Sequence, residues 1–200
     1  MNTINTQWIV IAGAVAAVLI ALSAWLVHRK KQSKRLQVRF GPEYGRTVED
    51  LGSQSKAESE LKTREQRVER LDIEPLTPPE AARFSGSWNA LQSRFVDNPQ
   101  NVVVQADRLV RELMLKRGYP MADFEHRAAD ISVDHPEVVN NYRAAQAIAV
   151  RGERGQADTE ELRQAVVHYR ALFDELLEVK GGARPGSAGT SSGGALMNTI

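Results

Sequence analysis

Three charged or polar side chains have the spacing of a metal site in this chain. Asp123 lies three residues before His126 and Asp130 four residues after it, so one helical face would point all three toward a single ion. A di-iron bundle would also need two Glu-x-x-His helices and two further carboxylates, which the chain does not supply. We therefore predict no metal and no cofactor, and we expect exposed or helix-terminal positions for these residues.

Two further histidines raise the question of proton transfer. His135 precedes a proline at a predicted helix start, which favours a structural capping role. His168 lies beside the apolar stripe of the last predicted helix, where a partly buried, hydrogen-bonded histidine is the ordinary reading. It could transfer protons if another helix brought Asp134 or Glu137 near it. We predict no catalytic residue and no enzyme activity, and the alternative is an enzyme or metal-dependent protein that uses His126, His135 or His168 with nearby carboxylates.

Other catalytic signatures are missing or lack their structural context. The chain has no cysteine, which excludes disulfides, thiolate zinc sites and a cysteine nucleophile. It contains no dinucleotide-binding glycine motif, P-loop or H-E-x-x-H motif. Residues 189–193 match the letters of the G-x-S-x-G nucleophile motif, but the strand and helix that this motif requires are not predicted around them. No reaction class follows from these patterns.

Five predicted helices would position these side chains between residues 77 and 180. Thr77, Asn98 and Asp158 precede helix starts, and Gly118 follows a helix end. Apolar residues at four-three spacing follow each start and give every helix one buried stripe. The stripe residues are Phe84, Trp88, Leu91, Phe95, Val102, Ala106, Leu109, Leu113, Phe124, Ala128, Ile131, Val138, Tyr142, Ala145, Ala149, Leu162, Val166, Tyr169, Phe173 and Leu176. The pattern predicts an all-α bundle of about five helices.

The N-terminal part of the chain has the pattern of a membrane anchor. Residues 8–27 are uncharged and nearly all apolar, and twenty helical residues span about 30 Å, the thickness of the hydrocarbon core. Trp8 and Trp25 lie near the two ends, where aromatic rings favour the lipid headgroups. A cleaved signal peptide is the alternative, but no basic residue precedes the segment and no small-residue cleavage site follows it. We predict a permanent transmembrane helix.

A basic segment at residues 28–46 gives the expected orientation. Five cations follow the apolar segment directly, whereas none precedes it, so the positive-inside rule predicts an external N-terminus and a cytoplasmic C-terminal domain. The cluster could also attract anionic lipid. Its members are Arg29, Lys30, Lys31, Lys34 and Arg35. We predict a cell-membrane protein with a single membrane crossing, and the alternative is an exported envelope or stress-related domain.

The positive charge is local to this segment. Lys and Arg total 26 and Asp and Glu 25. Residues 29–50 contain seven basic and three acidic side chains, whereas residues 51–180 contain 18 basic and 22 acidic ones. No aromatic side chain interleaves the cluster Arg29 to Arg35 to stack on a base. We therefore predict the lipid bilayer as a partner and no nucleic acid.

Residues 47–72 are highly charged, and apolar residues are sparse among them. Glu58 with Lys62 and Glu60 with Arg64 are acid-then-base pairs at i,i+4, which stabilise a solvated helix. We predict a charged helical stalk here. The alternative is a short coiled-coil seam that would pair two copies of the chain through Leu61, Val68 and Leu71. Residues 40–45 form a turn cluster before the stalk, and residues 181–200, rich in Gly and Ser, are predicted to be a disordered tail.

Four motifs in this order resemble an uncharacterised family of bacterial single-pass membrane proteins. They are RFGPEY at 39–44, RGYP at 117–120, SVDHP at 132–136 and HYR at 168–170. The resemblance covers residues 39–178 and implies a membrane protein with a helical domain. It implies no activity, cofactor or catalytic residue.

We expect the chain to act as a protein interaction or scaffolding module at the inner face of the membrane, with an unidentified protein as its partner. An amphipathic helix face or groove is the usual docking surface of such modules. The candidate polar or interaction residues are Tyr119, His126, Asp134, His135, Tyr142, His168 and Tyr169.

Overall fold

The structure, a computed structural model, describes residues 3–177, and within that range all side chains except those of residues 3–12, 14, 15 and 18. The described residues form eight α-helices and no strand, which confirms the predicted all-α class. The predicted disordered tail, residues 181–200, lies outside the described residues. The helices are α1 (Thr3–Phe40), α2 (Pro42–Leu51), α3 (Gln54–Val68), α4 (Pro78–Gln92), α5 (Pro99–Arg117), α6 (Phe124–Asp134), α7 (Pro136–Glu153) and α8 (Thr159–Leu176).

Helices α4 to α8 form the predicted bundle, and three predicted caps begin its helices. Thr77 and Glu80 form a reciprocal capping box at the start of α4, and Asp158 and Glu161 form another at the start of α8. The side chain of Asn98 accepts a hydrogen bond from the backbone of α5. Each cap satisfies backbone N–H groups that have no partner within the helix. The start residues predicted from the sequence are therefore confirmed.

The predicted apolar stripes meet in one hydrophobic core. Helix α8 packs against both α5 and α7, and α4 packs against α5. Trp88 and Phe173 have no exposed surface and contact each other in this core, with ring centroids 4.8 Å apart. Phe95, Phe124 and Val138 are only partly buried at its edge, and the other predicted stripe residues are buried. The 3.6-residue periodicity thus identified the core-facing side of all five helices.

Residues 47–72 do not form the predicted free stalk. Helix α2 ends at Gly52, whose φ of +62° is a conformation that glycine adopts without steric cost, and α3 then runs back along the protein. Helix α3 packs against α2 and α6. Leu61 and Val68, predicted as a possible coiled-coil seam, are buried within the chain itself. They therefore offer no exposed seam to a second copy.

A second, smaller hydrophobic cluster joins this N-terminal part to the bundle. Leu36 and Phe40, at the end of α1, have no exposed surface and pack with residues of α2, α3 and α6. The predicted turn after α1 is confirmed at Gly41, where φ is +48°, but α2 begins directly afterwards at Pro42. Helix α1 is therefore continuous through the basic segment and ends inside the folded domain.

The predicted transmembrane segment is helical throughout, because residues 8–27 all lie in α1. Several of its side chains, those of residues 8–12, 14, 15 and 18, are outside the described part of the structure. Among the described residues, no helix combines the length and apolarity that crossing a membrane would require.

Replacing Phe40 with alanine should detach α1 from the domain. We expect the variant Phe40→Ala to lower the free energy of unfolding by about 3–5 kcal/mol, the usual cost of removing a fully buried phenylalanine. Val38 is 86% exposed on the same helix, so Val38→Ala should change stability by less than about 0.5 kcal/mol. Urea unfolding of the full chain, followed by circular dichroism, measures both. Equal effects of the two variants would contradict this packing.

Glu80 should make stability depend on pH. The ammonium of Lys116, 2.7 Å from its Oε1 atom, and the hydrogen-bond donors of Thr77 lower the pKa of Glu80 to about 2. A depressed carboxyl pKa stabilises the fold fully above its ordinary value of 4.5, and this contribution disappears as the pH falls toward 2. Glu80→Gln should therefore lower the thermal midpoint more at pH 7 than at pH 3. A difference in thermal midpoint between Glu80→Gln and the unchanged protein that stays constant with pH would contradict the lowered pKa of Glu80.

Candidate functional site

A buried carboxylate at the start of α2 organises the most polar region of the fold. Glu43 is 1% exposed, because the turn at Gly41 directs this first turn of α2 toward the bundle. Its Oε1 atom accepts hydrogen bonds from Arg64 of α3 at 3.1 Å and from Arg143 of α7 at 3.0 Å. One carboxylate oxygen thus ties α2 to α3 and to the bundle, and it holds two guanidinium groups side by side.

Two more buried acids form ion pairs, one between α3 and the bundle and one between α3 and α1. Asp130 of α6 is 2% exposed and accepts a hydrogen bond of 2.7 Å from the Nε atom of Arg67 of α3. Glu65 of α3 forms ion pairs with Arg35 and Arg39 of α1, at 2.6 and 3.2 Å. Glu43, Glu65 and Asp130, three of the buried acids, thus have arginine partners, which offset the loss of hydration in the protein interior.

These arginines line a cleft of about 260 Å³ between α2 and α3 on one side and α6 and α7 on the other, which we call the arginine cleft. The arginines are its more buried members: the side chain of Arg64 is 12% exposed and that of Arg143 is 11% exposed. The carboxylates are more accessible, with Asp50 64% and Glu125 69% exposed. The cleft is lined by Asp50, Glu60, Arg64, Arg67, Glu125, His126, Ala129 and Arg143.

Two guanidinium groups of the arginine cleft each contact two carboxylates. Arg143 contacts Glu125 at 2.5 Å, and Arg64 contacts Glu60 at 3.0 Å, so each guanidinium bridges a buried and a more exposed carboxylate. The outer carboxylate of each pair is accessible, whereas Glu43 holds both guanidinium groups from the inner side.

The structure buries the three tyrosines among the predicted interaction residues. Tyr119 is 1% exposed, and Tyr142 and Tyr169 have no exposed surface. Tyr142 and Tyr169 lie together, with ring centroids 6.4 Å apart. Their apolar rings fill the bundle core, so none of the three side chains lies on a docking surface in this fold. Sequence periodicity had already placed the last two on buried stripes.

The two tyrosine hydroxyls belong to a polar cluster inside the bundle. The hydroxyl of Tyr169 donates to Asp107 at 3.1 Å, and that of Tyr142 accepts a hydrogen bond from Arg127. Burial, followed by the negative charge of Asp107, raises the pKa of Tyr169 well above its usual range. Burial likewise raises the pKa of Tyr142 despite the nearby Arg127. Both phenols therefore stay neutral, and they act as hydrogen-bonding members of the core.

The three predicted histidines have separate partners. The Nδ1 atom of His126 lies 2.7 Å from Asp123, whose pKa is lowered by hydrogen bonds from the backbone and ring of His126. The Nδ1 atom of His135 lies 3.1 Å from Glu175, and that of His168 lies 2.9 Å from Asn141. The structure thus does not bring these histidines together into one site.

The metal arrangement considered for His126 does not form. Asp123 caps the start of α6 through its side chain, and Asp130 is paired with Arg67 instead of facing the histidine. Within the described part of the chain, no three His, Cys, Asp or Glu side chains are grouped so that they could hold a metal ion. His126 is the one predicted candidate that lines the arginine cleft.

Asp134 and His135 stand at the junction of α6 and α7. Asp134 lies 3.8 Å from Arg39 of α1, which adds a further charged contact between α1 and the bundle. His135 is the N-cap residue of α7, but its side chain makes no capping hydrogen bond. It points instead to Glu175 of α8 and is 9% exposed. The role of His135 in the structure is thus to link two helices.

The basic cluster predicted to face lipid is exposed along α1. All five members, Arg29, Lys30, Lys31, Lys34 and Arg35, have exposed side chains. The guanidinium of Arg29 lies 5.5 Å from the ring centre of Trp25, within the range of a cation–π contact. Arg35 is partly committed to the domain through its ion pair with Glu65.

Sequence reasoning missed the residues that build the arginine cleft. The sequence predicted that Arg64 pairs with Glu60, and the structure confirms this pair at 3.0 Å. It also predicted a solvated helix here, so it did not predict the contact of Arg64 with the buried Glu43. Glu58, predicted to pair with Lys62, instead accepts hydrogen bonds from Tyr44 and Gln54. One available signal was the conformational break expected at Gly41-Pro42, because a chain reversal there brings Glu43 back toward the domain.

Comparisons with known proteins add no family. No protein-family model matches the chain, and neither the curated proteins nor the solved structures give a significant match. The resemblance suggested by the four sequence motifs therefore stays a prediction.

Removing Arg143 should destabilise the fold strongly. The variant Arg143→Met leaves the buried charge of Glu43 with one partner, and breaking a buried pair in this way costs about 3–5 kcal/mol. Arg163 is 53% exposed and pairs with an exposed glutamate on the surface of α8, so Arg163→Met should lower the free energy of unfolding far less than Arg143→Met does. Chemical unfolding of both variants tests the difference. A cost below 1 kcal/mol for Arg143→Met would show that Glu43 does not depend on this partner.

Proposed function

We propose that this chain is a membrane-anchored scaffolding module, which holds a small helical domain against the inner face of the cell membrane and binds a protein partner through the arginine cleft. The observation that carries the proposal is the continuity of α1 from Thr3 to Phe40, together with the burial of Leu36 and Phe40 in the domain. A helix that begins in an apolar segment and ends in a folded core joins the two parts without a flexible linker.

The side chains of the apolar segment support the anchoring. Six large apolar residues between positions 19 and 27 are 50% to 70% exposed, and no part of the domain covers them. Burying such side chains in lipid is favourable by about 25 cal/mol for each Å² of apolar surface. The exposed apolar residues are Leu19, Ile20, Leu22, Trp25, Leu26 and Val27. We propose that residues 8–27 cross the bilayer, with the N-terminus outside and the domain in the cytoplasm.

The charges around the arginine cleft support a protein partner with basic side chains. The accessible groups of the cleft are mainly carboxylates, including Asp50 and Glu125, while the guanidinium groups lie deeper. Residues 51–180 also carry four more acidic than basic side chains. Complementary charge accelerates association and selects among partners. A basic segment of another protein is therefore the partner that we propose.

The topology can be tested with introduced cysteines, because the chain has none of its own. We expect the full-length protein to stay with the membrane through a carbonate wash. In the variant Val96→Cys, at a position that is 91% exposed in the domain, a membrane-impermeant maleimide should react only after cell lysis. In Asn5→Cys it should react in intact cells. Labelling of Val96→Cys in intact cells would place the domain outside, and release by carbonate would refute the anchor.

Partner binding can be tested with a photoreactive amino acid in place of His126, which lines the arginine cleft and is 63% exposed. We expect crosslinking to one reproducible protein in the membrane fraction, weakening as salt rises because the contact is electrostatic. The same amino acid in place of Arg163 on α8 is the matched control. Equal crosslinking from both positions would contradict binding at the cleft.

A further inference from the structure

A pocket lies where the domain meets the end of the apolar segment, and we call it the juxtamembrane pocket. It encloses about 360 Å³ and is lined by Leu26, Arg29, Lys30, Ser33, Gln54 and Glu58. Helix α1 supplies the first four residues, and the start of α3 supplies the last two. The pocket thus joins an apolar wall, two cations and one carboxylate at the point where α1 leaves its apolar stretch.

Glu58 is the unusual member of the juxtamembrane pocket. It is 8% exposed, and its Oε1 atom accepts hydrogen bonds from Tyr44 at 3.0 Å and from Gln54 at 2.9 Å. Burial alone would raise the pKa of Glu58, but hydrogen bonds from Ser33, Gln54 and Tyr44 outweigh that effect and lower it. The carboxylate is therefore ionised at neutral pH, although all of these donors are neutral groups.

The pocket contains charges of both signs that do not neutralise each other by direct contact. Each of the other buried acids, Glu43, Glu65 and Asp130, has an arginine within 4 Å. Among the ion pairs of the described residues, none includes Glu58, Arg29 or Lys30. Lys62, one turn along α3, acts on Glu58 only through space. A buried carboxylate without a cation partner, beside two cations without an acid partner, is complementary to a zwitterion.

The position of the pocket points to a lipid as the source of this zwitterion. Leu26 is the penultimate residue of the apolar segment, and Lys30 lies about 6 Å further along the helix axis at about 1.5 Å per residue. If residues 8–27 cross the bilayer, the pocket therefore lies at the level of the headgroups. A phosphate there would be close to Arg29 and Lys30, and Leu26 would contact the start of the acyl chains.

We propose that the juxtamembrane pocket binds the headgroup of phosphatidylethanolamine, with its primary ammonium hydrogen-bonded to Glu58 and its phosphate bound by Arg29 and Lys30. The inference rests on the proposed membrane anchor and deepens it by naming the lipid. A primary ammonium donates hydrogen bonds to a carboxylate, whereas the quaternary ammonium of phosphatidylcholine has no N–H group to donate. Phosphatidylglycerol offers the phosphate without a cation. The pocket should therefore distinguish these three headgroups.

Native mass spectrometry of the full-length protein tests this selectivity. The protein is reconstituted into nanodiscs of phosphatidylethanolamine, phosphatidylcholine and phosphatidylglycerol in equal amounts with identical acyl chains, and the lipids that stay bound after release are counted. We expect phosphatidylethanolamine to be enriched at least about fivefold over each competitor, a typical difference for one charge-assisted hydrogen bond at a partly exposed site. Equal retention of the three lipids would overturn the proposal.

Two variants and one control test whether the juxtamembrane pocket causes the selectivity for the headgroup. Glu58→Gln keeps the shape and a carbonyl acceptor but removes the charge, and it should reduce the enrichment over phosphatidylcholine to about one. Lys30→Gln changes an exposed side chain, leaves folding unaffected and should reduce retention of phosphatidylethanolamine. Glu69→Gln, at the exposed end of α3, should leave the enrichment unchanged. Selectivity that persists in both Glu58→Gln and Lys30→Gln would overturn the assignment of this pocket.

Two further outcomes separate this inference from the proposed anchor. If the protein does not enter nanodiscs or membranes at all, both proposals are overturned. If it enters them without headgroup selectivity, the anchor stands and the headgroup site is overturned. Soluble O-phosphoethanolamine is included as a competitor. If it displaces the bound lipid at the same concentration as phosphatidylethanolamine itself, the ligand is a soluble phosphate ester and the assignment to a lipid is overturned.

Discussion

The attraction between Glu43 and its two arginines constrains the arrangement of the N-terminal half of this protein. Glu43 is 1% exposed, and its partners come from α3 and from α7, one hundred residues away along the chain. A buried carboxylate loses its hydration, so the fold must supply both guanidinium groups at the correct distance. Helices α2 and α3 therefore have one favourable position on the bundle, and the position of the C-terminal end of α1 follows from it.

Ion pairs determine which residues meet where the N-terminal helices pack on the bundle, and a small apolar cluster lies at the same contact. The six buried members of that cluster come from four helices, α1, α2, α3 and α6. The hydrophobic effect is non-directional, whereas paired charges restrict which residues can face each other. The Oε2 atom of Glu43 and the Nε atom of Arg143 have no hydrogen-bond partner within the described part of the structure. This incomplete pairing indicates that the charges contribute specific geometry more than net stability, as buried ion pairs often do.

The sequence predicted the bundle accurately because its signals are local. Capping boxes at Thr77 and Asp158 and stripes with a 3.6-residue period are patterns within single helices. The arginine cleft could not be predicted in the same way. Glu43 and Arg143 are far apart in the chain, and charged residues between positions 47 and 72 have the composition of a solvated helix. Only the three-dimensional arrangement distinguishes a buried pair from an exposed one.

The contacts of the candidate polar residues could not be predicted from the sequence either. His126, His135 and His168 were identified by residue type, but each has its own neighbour in the fold. Glu58 was assigned to an i,i+4 pair, a rule that describes isolated helices in water. The hydroxyl of Tyr44, from a different helix, competes successfully for its carboxylate. Tertiary contacts thus replaced the local partner that the sequence favoured.

The unbroken course of α1 through residues 28–35 also fixes the direction in which the domain faces. Each residue of an α-helix turns the chain by about 100° and advances it by about 1.5 Å. The number of residues between Val27 and Leu36 therefore sets the rotation of the domain about the axis of α1 as well as its distance from the apolar segment. Adding one residue there would hardly change this distance, yet it would rotate the arginine cleft by more than a quarter turn relative to the apolar segment. The number of residues in this segment thus determines how the domain is rotated relative to the apolar segment. A flexible linker of the same length would leave this rotation undetermined.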